Sequence, residues 1–314
     1  MFTNRLHFFG IVYENKSYNI SMKNRWKLLL LSPILLSMIG CNKNSGTPVD
    51  VVIISGQSNA VGCTKSRYLL YSLPAKYSEY TDGYEDVQIA YDCWTKLPPY
   101  DVTAGFESQN KSEGNNFVNV ELGQGNTQEA FGPEMGISDA LHEAHAGKLF
   151  LIKFACGASN LKDDWTKRNS PMYPKLIDYV NLQMNNLRGK GYNPTIKAFC
   201  WMQGEGDSYN GYYQQYLTNL REFVGNLRQD LGNIPFIDAG ICTSANWLYP
   251  EQVNQAKVTF SQESENNFYI DTNAAGLHTN EEPQPTADLD HYDSASQIQL
   301  GKLFAQTFEQ FLMK

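Results

Sequence analysis

Ser58 stands in Ser55-Gly56-Gln57-Ser58-Asn59-Ala60-Val61-Gly62, directly after the apolar, β-branched run Val51-Val52-Ile53-Ile54. A buried strand that runs into a glycine-containing turn presents a hydroxyl beyond its carboxyl end, where α/β sheets carry their chemistry. Far along the chain, Asp288-Leu289-Asp290-His291 offers a base and a carboxylate to orient it. Serine, histidine and an acid are the parts of nucleophilic acyl transfer. The hydroxyl attacks, the imidazole takes its proton, and the carboxylate holds the imidazole tautomer. Gly, Ser and Asn are also ordinary turn residues, so the weight of this reading rests on the rest of the chain.

A sheet has to bring residues 58 and 291 together. The spacing of Met135, Ile137, Leu141 and Ala144 predicts a helix over 133–146, followed by a strand over 148–155. Leu176, Ile177, Val180, Met184 and Leu187 mark an amphipathic helix over 174–188, and 195–202 reads as a strand. A long helix over 209–231 should end at Gly232. Strands at 235–242 and 268–271, and helices over 252–263 and 294–314, complete the pattern. Between the first strand and this regular part, residues 64–129 are rich in Tyr, Gly, Asn and Ser. A structureless loop of that length is uncommon, so short strands and turns are expected there, including 87–90, forming one wall of a cleft. Strands alternating with helices predict a three-layer α/β/α sandwich of flavodoxin-like type with about five parallel strands.

Four segments fall at strand ends or just before the last helix, in a fixed order. They are Gly56-Gln57-Ser58-Asn59, Ala155-Cys156-Gly157-Ala158-Ser159, Trp201-Met202-Gln203-Gly204-Glu205-Gly206-Asp207 and Asp288-Leu289-Asp290-His291. With Phe131-Gly132-Pro133-Glu134, they make the chain resemble the SGNH hydrolases over about residues 50–312. The likeness is narrower still to the carbohydrate-acetylesterase branch, which includes sialate O-acetylesterases and acetylxylan esterases of carbohydrate esterase family six. The resemblance implies an acyl-enzyme on Ser58, His291 as general base and Asp288 as the acid, with Glu205 as the alternative or supporting acid. It implies oxyanion donors at the Ser58 and Gly157 backbone N–H groups and the Gln203 carboxamide. Gln57, Asn59 and Trp165 are assigned to the substrate, Trp165 being either a sugar platform or a packing residue. The implied substrate is an O-acetylated carbohydrate: xylan, sialic acid or a related glycan. Two other readings stay open: a non-catalytic glycan-binding lipoprotein on the same fold, and an exported esterase for another acyl substrate such as peptidoglycan O-acetyl groups.

Other residues invite rival chemistry. His278 lacks an aspartate three residues before it and reads as a loop histidine, while His142 and His145 fall on a helix. Glu205 and Asp207 suggest a glycosidase pair, but at two residues' spacing they should point apart. No HExxH, paired-cysteine site or calcium loop occurs, so no metal and no cofactor is expected.

The N-terminus reads as an address. Lys23, Arg25 and Lys27 precede Leu28-Leu29-Leu30-Leu31-Ser32-Pro33-Ile34-Leu35-Leu36, and Gly40-Cys41 follows. This charged, apolar and small-residue order is that of a signal peptide. Cysteine directly after the small residue resembles the lipobox of bacterial lipoproteins. Residues 1–41 are therefore read as upstream sequence plus leader, with Met22 as initiator, cleavage before Cys41 and lipid on Cys41. Residues 42–49 become a polar tether, and 50–314 a single esterase domain of an exported, membrane-anchored protein, periplasmic or at the cell surface. The net charge of −8 and the lack of a basic run after residue 41 argue against a nucleic-acid partner. In an oxidising compartment Cys63 and Cys93 are the best disulfide candidates, and Cys156, Cys200 and Cys242 read as buried thiols.

Overall fold

The computed structural model describes residues 46–313 apart from 210, 280, 281 and 283–287. Strand β1 (Thr47–Gly56) lies inside an eight-stranded sheet, and its last eight residues are all buried. Burial on both faces is what an unbroken β-branched run signals in a parallel sheet. The other strands are β2 (Tyr84–Lys96), β3 (Phe106–Lys111), β4 (Val118–Val120), β5 (Leu149–Gly157), β6 (Tyr192–Met202), β7 (Phe236–Ala239) and β8 (Asn267–Ile270). In space they run β8-β7-β6-β1-β5-β2-β3, with β4 also paired to β2. Every pairing from β8 across to β2 is parallel, whereas β3 and β4 are antiparallel to β2. The fold is thus a mixed α/β sandwich with a mostly parallel central sheet. Chain order reverses at β1, with β5 and β2 to one side and β6 to β8 to the other. Such a switch point opens a crevice beyond the strand ends.

Two departures from the sequence reading stand out. The expectation of about five parallel strands is short by one, because β2 extends over 84–96 and joins the parallel set on β5. Its polar residues Glu85, Asp86 and Gln88 hide a long strand within a segment read as short pieces. The same segment contains a helix, Pro74–Asp82. The polar tether is also shorter than 42–49, since Thr47 already pairs with Tyr192. The leader, its cleavage site and Cys41 lie outside the described residues. Among the described residues, no helix is long and apolar enough to cross a membrane.

The helices cover the sheet through the stripes that the sequence displays. Tyr173–Gly189 buries Leu176, Val180, Met184 and Leu187. The helix expected over 209–231 is broken: Gly211 takes a left-handed φ of 73°, a 3₁₀ turn follows, and the α-helix runs over Tyr216–Leu231. Helix Ser294–Phe308 is capped by Asp293, whose carboxylate accepts the Ser296 N–H at 2.7 Å. It docks on helix Glu134–Leu141 so closely that a β-carbon at Gly301 would strike the Gly136 backbone. That docking anchors the loop that carries His291.

Fully buried lysines tie the layers together. Lys153 on β5 pairs with Glu134 at 2.8 Å and donates to the carbonyls of Val61 at 3.1 Å and Gln124 at 2.5 Å. Glu134 in turn accepts the Gly132 N–H at 2.8 Å. The carboxylate of Phe131-Gly132-Pro133-Glu134 is therefore structural. Breaking a buried pair strands a charge in a low dielectric, so Lys153→Met should destabilise the protein by about 3–5 kcal/mol. Urea unfolding checks this, and the double change Lys153→Met, Glu134→Leu should recover part of the loss.

Candidate active site

Three strand ends and one loop converge at the crevice. In register, Gly56 lies opposite Ala155 of β5 and Met202 of β6. Ser58 after β1, Gly157 at the end of β5 and Gln203–Asp207 after β6 are thereby brought together. Gly56 is required at the turn: its φ is 138°, and any β-carbon would overlap the Met202 carbonyl. Ser58 then opens a one-turn helix, Ser58–Val61.

Ser58, Gly157 and His291 line one cavity of about 690 Å³. Among the described residues, no hydrogen bond joins the Ser58 hydroxyl to the His291 ring. A β-carbon at Gly157 would stand 3.9 Å from the Ser58 β-carbon, so the bare backbone of Gly157 lies against the serine. The His291 Nδ1 is 2.9 Å from the Asp288 carboxylate. The other Asp288 oxygen accepts the backbone N–H groups of Asp290 at 2.9 Å and His291 at 3.1 Å. Burial opposes charge on both groups, but the groups beside them prevail, for Asp288 the His291 ring. Asp288 is held below the usual carboxylate range. Burial alone would lower His291, yet Cys63 and the Asp288 carboxylate beside it raise it well above 6.5. The imidazole is thus fixed in one tautomer and stabilised as a cation, as a proton-transfer base requires.

Glu205 has a different place. It is fully buried, absent from the cavity wall, and accepts from the Asn59 side chain at 2.8 Å. Burial raises its pKa. Asp207 turns the other way: it accepts the N–H groups of Leu161 at 2.7 Å and Lys162 at 3.3 Å, and burial raises it to about 6. Asp290 accepts from Asn246 at 2.5 Å and does not contact the His291 ring.

Four expectations need correction. Gln203 is fully buried, and both hydrogens of its amide nitrogen are committed, to Asp207 at 2.6 Å and to Gln57 at 3.2 Å. A carboxamide has two N–H donors, so none remains for an oxyanion. Trp165 is fully buried against Trp201, ring centres 5.4 Å apart, and its N–H donates to Ser159. It packs the core and cannot meet a sugar. Asn59 and Gln57 bind the protein. The Asn59 oxygen accepts the Tyr292 N–H at 3.0 Å, while the Gln57 oxygen accepts from the N–H groups of Gly204 and Gly206, both at 3.2 Å. The residues flanking Ser58 thus fasten the third and fourth segments to it, although Gln57 also borders the cavity. Cys63 and Cys93 are free thiols. Cys63 lines the cavity and donates to the Ser58 carbonyl at 3.5 Å, whereas Cys93 is buried on β2.

His278 pairs with Asp293 at 2.8 Å and stays outside the cavity wall, as do His142 and His145. Among the described residues, no group of three or more His, Cys, Asp or Glu side chains is placed to hold a metal ion.

The sequence reading missed Asn160 and the aromatic wall. Asn160 lines the cavity; its Oδ1 accepts the Asp163 N–H at 2.8 Å, and its own N–H donates to Asp164, which pairs with buried Lys96 at 3.0 Å. The Asn160 amide nitrogen has no hydrogen-bond partner among the described residues. Tyr100, Tyr209, Tyr212 and Trp247 also line the cavity. Tyr100 and Ala158 hold positive φ angles of 66° and 57°, a strain that clusters at binding sites.

A model of the family described as carbohydrate esterase, sialic acid-specific acetylesterase matches residues 48–310. No curated protein matches in sequence. Among solved structures, an Arabidopsis thaliana protein is 20% identical, covers 85% of this chain and 100% of its own, and superposes with a TM-score of 0.56. The structure titled NanS is 13% identical, covers 85% of this chain and 98% of its own, with a TM-score of 0.54. At such identities the likeness extends to the fold.

Proposed function

Because the chain belongs to the carbohydrate esterase, sialic acid-specific acetylesterase family, and so to the carboxylic ester hydrolases, we propose that it removes O-acetyl groups from a carbohydrate through an acyl-enzyme on Ser58. The observation that carries this mechanism is the Asp288-paired His291 on the same cavity wall as Ser58.

The Ser58 oxygen attacks the acetyl carbonyl while His291 takes the hydroxyl proton. The tetrahedral intermediate collapses, the sugar oxygen leaves with the proton from His291, and acetyl remains on Ser58. Water deprotonated by His291 then attacks the acetyl-serine, releasing acetate and restoring the hydroxyl. Backbone N–H groups of Ser58 and Gly157 are the oxyanion donors. The Asn160 amide, with its oxygen committed to Asp163, supplies the side-chain donor that Gln203 cannot. Asp288 stabilises the imidazolium. The leader-like sequence before Cys41 supports export, with lipid on Cys41, which would hold the enzyme on a membrane face.

An aryl acetate tests the mechanism. The purified protein should release a burst of aryl alcohol, and quenched protein should carry one acetyl group on the peptide containing Ser58. A folded protein that releases no acetate from aryl or sugar esters would make the cavity that of a glycan-binding protein instead.

A further inference from the structure

The cavity wall is acidic. Asp101, Asp163 and Asp290 line it, and among the described residues no lysine or arginine does. Of the cations nearby, one rests on an aromatic ring of the wall and one is buried in an ion pair. The Lys162 ammonium sits 3.9 Å from the centre of the Tyr212 ring, and Lys96 is buried on Asp164. Lys65 and Arg67 open onto a smaller cavity of about 150 Å³ on the Asp288 side of His291, which they share with Glu282, Asp288 and Asp293. The chain as a whole carries −8.

What the main cavity does offer is aromatic surface. Tyr100 and Tyr209 are more than half exposed, and Tyr212 and Trp247 complete the wall. Beyond the rim, Tyr209, Trp247 and the exposed Leu248 continue into an adjoining depression. Such rings suit the apolar C–H faces of an uncharged sugar. A sugar carboxylate would instead meet three aspartates, faced by no lysine or arginine of the described wall and by a His291 that is neutral when it acts as base, a repulsion that enlarges where water is partly excluded.

We propose that this site accepts uncharged O-acetylated glycans and disfavours sugars that carry a carboxylate, despite the acidic sugar in the family's description. The inference rests on the esterase reading above and adds the charge of the substrate. Recognition comes from ring stacking and amide hydrogen bonds, and selection against acidic sugars comes from the aspartates.

The test compares kcat/KM for acetate release by the purified protein on four substrates: an aryl acetate, a neutral acetylated xylo-oligosaccharide, an O-acetylated sialic acid and the methyl ester of that sialic acid. The ester cancels the carboxylate without altering the ring. The expected order places the neutral oligosaccharide and the methyl ester above the free acid, the latter pair differing by about tenfold for three partly screened like charges. Asp101→Asn, which keeps the acceptor for Thr103, should narrow the ratio between ester and free acid roughly twofold. A free acid cleaved as well as its ester, or better than the oligosaccharide, overturns the inference and leaves the esterase reading intact. So does cleavage of the aryl acetate with none of the sugars. Failure on the aryl acetate as well removes the esterase reading, and this inference with it.

Discussion

Ser58→Ala should lower kcat/KM for acetate release by on the order of 10⁴- to 10⁶-fold while leaving the fold and glycan binding in place. Ser58 sits on a one-turn helix whose backbone is fixed by Gly56, so removing one oxygen changes little besides the proposed nucleophile. His291→Ala should cost a similar factor, and the double change little more, because serine and histidine act as one unit. The neighbouring Cys63 makes this measurement discriminating. Its thiol lines the same cavity, donates to the Ser58 carbonyl and lies beside His291. Thiolates are strong nucleophiles, so a cysteine mechanism would show the reverse pattern. Ser58→Ala would then keep the acetyl burst and Cys63→Ala would lose it. Expected instead is a Cys63→Ala protein that still forms acetyl-serine. Acetate release over a pH series, with circular dichroism to verify folding, checks both variants.

The order of strands was legible because burial on both faces leaves a simple mark. Runs such as Val51–Ile54 and the strand preceding Gly157 are apolar throughout or nearly so, and nothing else in the chain competes with them. The side beyond β5 was not: β2 opens on the adjacent polar pair Glu85-Asp86 and then Gln88, which breaks any clean period of two, and it pairs with antiparallel neighbours on one side. At the site, residue types and their order pointed to Ser58 and to the Asp288–His291 pair, which share one cavity region. Roles of uncharged polar residues were not readable. Gln57, Asn59 and Gln203 stand beside the nucleophile or in its neighbouring segment, and a carboxamide there looks the same whether it meets substrate or protein. Only the spatial partners decide, and here Gly204, Gly206, Tyr292 and Asp207 take those amides. Trp165 failed for a related reason: its position after Gly157 says nothing about the turn of chain, Leu161–Trp165, that swings its ring inward. Asn160 was hidden among turn residues, although its place three residues before Asp163 fits a side chain capping that turn.

Asp288→Asn and Glu205→Gln should separate two acids that the sequence left open. The carboxamide introduced by Asp288→Asn would still accept the backbone N–H groups but would offer the His291 ring a neutral partner or the wrong hydrogen-bonding edge. The expected loss is on the order of 10⁴-fold in kcat, the scale seen when a triad carboxylate becomes an amide. The pH profile carries the sign. Activity needs neutral His291, so in the wild type kcat/KM should rise with pH through a pKa above 6.5. Without the Asp288 charge, burial is opposed by less, and the rising limb should move to lower pH even as the plateau falls. Glu205→Gln keeps an oxygen to accept from Asn59, so the loop that carries His291 should stay attached. Its plateau should remain within about tenfold of wild type, the loss reflecting a stranded buried polar group. The limb should move less than in Asp288→Asn, because Asp288 bonds the ring directly and Glu205 reaches it only through space. Were Glu205 the triad acid, the two variants would exchange these profiles: full collapse on Glu205→Gln and a modest loss on Asp288→Asn. A fall of similar size in both would mean that the carboxylates share the imidazolium charge, with Asn59 as the link between them.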